Sequence, residues 1–134
     1  MNKRRIDRWI PYAKEAIEVT GIAKGTVVDK TFRAQISSFG AAVVMGSLKA
    51  SVAFFTDDGG ASVERSKLLG AMDYVIRKGE GEEKPALKKP GQVLEDVCRD
   101  DSAQKKEQFI DAAIAIKLAL NFFELTENKA KDGE

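Results

Sequence analysis

Between Ala34 and Thr56 the chain carries a single charged residue, Lys49, although 32% of all its residues are charged. Phe32, Ile36, Phe39 and Val43 recur at the helical period, and Val44 and Leu48 widen that stripe. A helix with so broad an apolar surface has to be enclosed by other helices. Asp29 is placed to cap its start, since a carboxylate there accepts from the free amides of the first turn. The Met45-Gly46-Ser47 step predicts a stop or a bend, because Gly lowers helix propensity. A second short helix, about Leu48 to Thr56, is expected to carry Val52, Ala53, Phe54 and Phe55 into the same core. Asp57-Asp58-Gly59-Gly60 then ends it with turn chemistry.

The flanking segments share the helical period. Ile6, Trp9, Ile10, Ala13, Ala16 and Ile17 lie on one face of a first helix, about Lys3 to Val19, which Pro11 either kinks or starts afresh. Gly21 suits the left-handed position that closes it. Ser62 is read as the cap of a helix running to about Lys78, with Leu68, Leu69, Met72, Val75 and Ile76 inward. Glu80 to Lys89 has mixed charge and no period, and reads as a mobile loop. Pro90 opens a short helix through Arg99 that directs Val93, Leu94, Val97 and Cys98 inward. Asp101 with Gln104 resembles a capping box for a last helix to about Glu127. Its stripe is Phe109, Ala113, Ile116, Leu120 and Phe123, with Ile110, Ile114 and Leu118 beside it. The one run with strand character, Thr26-Val27-Val28, is too short to build a sheet. The expected fold is all-α: one compact domain of five or six helices over residues 1–127 and no sheet, followed by a frayed tail, 128–134.

Several functional classes recede on composition. The chain has 134 residues, enough for one core, and no His. That removes the usual general base near pH 7 and every Ser-His or Cys-His pair. Cys98, the only cysteine, sits at an apolar helical position and reads as a buried structural thiol. No apolar run approaches the roughly 20 residues of a membrane span. The basic start, MNKRRIDR, precedes no signal-type apolar run, so a cytoplasmic protein is expected. Asp57-Asp58 and Asp100-Asp101 each precede a helix start. Capping explains both pairs; a Mg²⁺-dependent nuclease built on them is the alternative. Gly59-Gly60 lacks the Lys and Ser or Thr of a phosphate-binding loop.

The net charge of +1 hides an asymmetry: nine Lys or Arg against four Asp or Glu up to Thr56, and thirteen against seventeen beyond it. A basic end suggests an anionic partner such as nucleic acid; the bland alternative is an unevenly charged, solvated surface. Lys30 and Arg33, with Lys24 close by in sequence, stand at the start of the central helix, where cations oppose its dipole. They are not there to stabilise it. Lys49 starts the next helix, and Arg4, Arg5 and Arg8 share part of one side of the first. All seven are candidate phosphate contacts. Phe32, Phe39, Phe54 and Phe55 read as core rather than as stacking surfaces, which favours backbone contact without base readout.

One order of motifs is distinctive: Gly21-Ile-Ala-Lys-Gly25, Phe32-Arg33, Ile36-Ser-Ser-Phe39, Met45-Gly46-Ser-Leu48 and Val52-Ala-Phe-Phe55, then a charged linker and the Ala-rich helix Ala112 to Phe123. It resembles the small helical subunit of the type III-B CRISPR effector, the fifth protein of the Cmr module, over about Ile6 to Phe123. The chain departs from that pattern at Gly46-Ser47-Leu48, where a Ser is inserted, and Ser51-Val52-Ala53-Phe54 stands for the family's Thr-Leu-Ala-Phe-like run. The resemblance implies an all-α, non-catalytic subunit with no cofactor, metal or small-molecule substrate. Its partners would be the other Cmr subunits, chiefly the repeated backbone subunit, further copies of itself, and guide and target RNA. Cleavage in that family belongs to the backbone subunit. The competing expectation is a small α-helical protein-interaction module with no nucleic-acid role.

Overall fold

The computed structural model describes residues 1–127; the tail expected over 128–134 lies outside the described residues. Six helices form in the expected order: α1 (Lys3–Val19), α2 (Thr31–Met45), α3 (Leu48–Phe55), α4 (Lys67–Gly79), α5 (Pro90–Arg99) and α6 (Ala103–Ala119). α6 is the central element, with α1, α2 and α4 packed on it. Its Ala112, Ala113, Ala115 and Ala119 are buried, and such small side chains let neighbouring helices approach closely. The stripes read from sequence on α2 and α4 are buried at Phe32, Ile36, Phe39 and Val43 and at Leu68, Leu69, Met72, Val75 and Ile76. Phe39 holds the junction of three helices. Its ring meets Phe55 edge-on at 5.2 Å and Phe109 at 6.4 Å.

The fold is helical but not purely so. β1 (Ala23–Lys24) pairs antiparallel with β2 (Val27–Asp29) around a two-residue turn, and Gly25 takes the positive φ of 66° needed there. β3 (Glu124–Thr126) then pairs in parallel with β2, Val28 opposite Leu125. This corrects the expectation of no sheet. Thr26-Val27-Val28 is indeed too short alone, but it recruits a strand from the far end of the described chain. The same pairing shortens the last helix: α6 ends at Ala119, a 3₁₀ turn covers Leu120–Phe122, and Phe123 is extended and only half-buried.

Other local expectations change at the surface. Val44, Ala53 and Phe54 face outward, because only the inner arcs of α2 and α3 meet the core. Cys98 is exposed, on the outer side of α5. α4 starts at Lys67 and not after Ser62, once Asp58 has accepted the Ser66 amide at 2.9 Å. Ser102, not Asp101, caps α6 by accepting from the Lys105 amide at 3.1 Å. Asp29 lies one residue before the N-cap of α2, which is Lys30 and has no side-chain cap; its carboxylate accepts from the Thr31 amide at 2.9 Å. α1 runs unbroken through Pro11, whose exposed position leaves the unpaired carbonyl one turn earlier to water.

The charged stretch Glu80 to Lys89 is tied down rather than loose. Arg77 donates to Asp73 at 2.8 Å and to the Ala86 carbonyl, and Lys78 donates to the Glu83 carbonyl at 2.8 Å. Lys88 pairs with Asp96, and Pro85 is buried. At Gly70 an added Cβ would lie 3.2 Å from the Lys88 carbonyl, so the strap lies close over α4 there.

Candidate nucleic-acid interface

The seven candidate cations divide into two groups once their partners are known. Arg5 is structural. Its guanidinium donates to Asp111 through Nε at 2.8 Å and Nη2 at 2.6 Å, and stacks 5.1 Å from the Trp9 ring centroid. Asp111 is fully buried and also accepts from the Asn2 amide at 3.3 Å. A buried carboxylate needs such a partner, so Arg5 faces α6 and not a ligand. Lys30 pairs with Glu127, and Lys49 with Asp101 at 3.5 Å, both pairs exposed. Exposed pairs of this kind are weak and exchange readily with water.

Arg4, Arg8, Lys24 and Arg33 are exposed and make no ion pair among the described residues. Arg4 and Arg8 are one helical turn apart on the solvent face of α1, a like-charge spacing that opposes the helix slightly. Lys24 and Arg33 are brought to one end of the domain by the β1–β2 hairpin, because α2 begins directly after β2. Lys49 lies in α3, beyond the far end of α2, which itself rises roughly 18 Å from Arg33 to Met45 at 1.5 Å per residue. The fold therefore does not gather the seven into one patch.

Lys24 lines a half-open cleft of about 480 Å³ between the hairpin, the start of α2 and the approach to α4. Val27, Phe32 and Val63 form its apolar wall. Lys67, which sequence reasoning passed over, also lines it and donates to the Gly21 carbonyl at 3.4 Å. Lys67 gives no signal of the kind at Lys30, a cation where a helix starts, because the sequence places that start at Ser62 and not at Lys67. Four acids share the lining: Asp29, Asp58, Glu64 and Glu127. The first two accept from backbone amides, and the last two pair with Lys67 and Lys30.

The acidic pairs singled out for metal chemistry are used locally. Asp57 accepts from the Gly59 amide at 2.9 Å and Asp100 from the Ser102 amide at 3.2 Å. Asp58 and Asp101 are engaged as described above. Among the described residues no three Asp, Glu or Cys side chains are grouped to hold a metal ion. Elsewhere, Tyr74 donates to Glu15, which also pairs with Lys78 at 3.1 Å. Burial, then this hydrogen bond, pushes the Tyr74 phenol up to about 12, and the bonds from Tyr74 and Lys78 lower Glu15. This trio fixes α1 to α4. Among the described residues no helix is long and apolar enough to cross a membrane. No family model matches the chain, and comparison with curated proteins and with solved structures gives no significant match.

Proposed function

We propose that this protein is a non-catalytic small subunit of an RNA-guided effector of the type III-B CRISPR kind, stacking in several copies beside a repeated backbone subunit and facing the guide–target RNA. The resemblance in motif order supports the assignment. The observation that carries the RNA-facing role is the set Arg4, Arg8, Lys24 and Arg33, exposed and without ion pairs among the described residues on a helical core. A cation held in water without a carboxylate is available to a phosphate, and phosphate contacts attract without reading sequence. One copy offers few contacts. Stacked copies along one strand add theirs, because tethering raises the effective concentration of each.

The test is target-RNA affinity of the reconstituted complex at two salt concentrations, wild type against the Lys24→Glu, Arg33→Glu double variant. Weaker binding is expected, about equally for unrelated guide-matched targets, with a shallower salt dependence. A variant complex that assembles normally and binds with unchanged affinity and slope would remove these residues from the interface. The second reading, a protein-interaction module, is favoured by a different observation. The outer face of α2 is uncharged from Ala34 to Met45, and Val44 and Met45 are 62% and 87% exposed. Purification from its source separates the two: a guide RNA travels with the protein under the first reading and not under the second.

A further inference from the structure

We draw no further inference here: the strongest candidate, the uncharged outer face of α2 with its exposed Val44 and Met45, is an unpartnered helix face, and nothing in the structure shows what covers it.

Discussion

Gly79 ends α4 against the indole of Trp9, and its replacement by Ala tests the packing of α1 on α4. A Cβ there would lie 2.3 Å from Trp9 Nε1, 2.6 Å from Cε2 and 2.8 Å from Cζ2. Carbon contacts settle at about 3.5–4.0 Å, so something must move by about an ångström. Trp9 is 3% exposed and cannot swing into solvent without leaving the core. Overpacking of this kind costs about 1–3 kcal/mol. Ala also gains up to about 1 kcal/mol of helix propensity over Gly, less at a helix end. The net expectation is a loss of roughly 1–2 kcal/mol. Gly79 has an ordinary negative φ, so the ring and not the backbone demands glycine. Gly40 is the control. Its Cβ would meet nothing within 4 Å, and Gly40→Ala should stabilise by about 0.5–1 kcal/mol. Urea unfolding followed by far-UV circular dichroism reads every variant, and the emission of Trp9, the only tryptophan, adds a local signal wherever it is kept. In a Trp9→Leu background the cost of Gly79→Ala should largely vanish, a coupling that a double-mutant cycle measures. A Gly79→Ala protein as stable as wild type, with unchanged emission, would refute the reasoning.

Three further outcomes are expected. Arg5→Leu strands the buried Asp111 carboxylate and should cost about 3–5 kcal/mol, whereas adding Asp111→Leu should recover most of it; if the single variant is near neutral by urea unfolding, Arg5 is not structural. Phe39→Ala should cost about 3–5 kcal/mol and Phe123→Ala clearly less, because Phe39 is fully buried and Phe123 is not; equal losses would count against the extended path after Leu120. Burial raises Asp73 above 3.8 despite the Arg77 hydrogen bond, so the unfolded chain ionises it first. Stability then falls as pH rises from that value through the folded pKa, and wild type should lose stability relative to Asp73→Asn over that window. The opposite slope in unfolding curves from pH 3 to 7 would show that the ion pairs outweigh burial.

The helices were legible because each declares itself locally. The stripe Phe32, Ile36, Phe39, Val43 needs only a period, and all four are buried. Outward residues misread as core are those next to a true core residue: Val44 beside Val43, Phe54 beside Phe55, Cys98 beside Val97. One helical step moves a side chain about 100° round the axis, and apolar chemistry alone does not say which of two neighbours faces in. The sheet was hidden for another reason. The Val28 to Leu125 pairing joins residues about three quarters of the described chain apart, and nothing local at either strand announces it. The cation set was half legible. Residue type and helix position picked out Arg4, Arg8, Lys24 and Arg33, but Arg5 looks identical to them until α6 supplies Asp111.

The parallel pairing of β3 with β2 also sets an order of events. Helices α1 to α6 can form from local contacts as the chain emerges, whereas the edge strand that completes the sheet comes from residues synthesised after all of them. Until then β1 and β2 are an isolated two-stranded hairpin, a unit of marginal stability in water. The Lys30 amide, which donates to the Thr126 carbonyl at 2.8 Å, has no such acceptor until that strand arrives. The end of the domain that presents Lys24 and Arg33 is therefore completed last, by the final strand of the described chain.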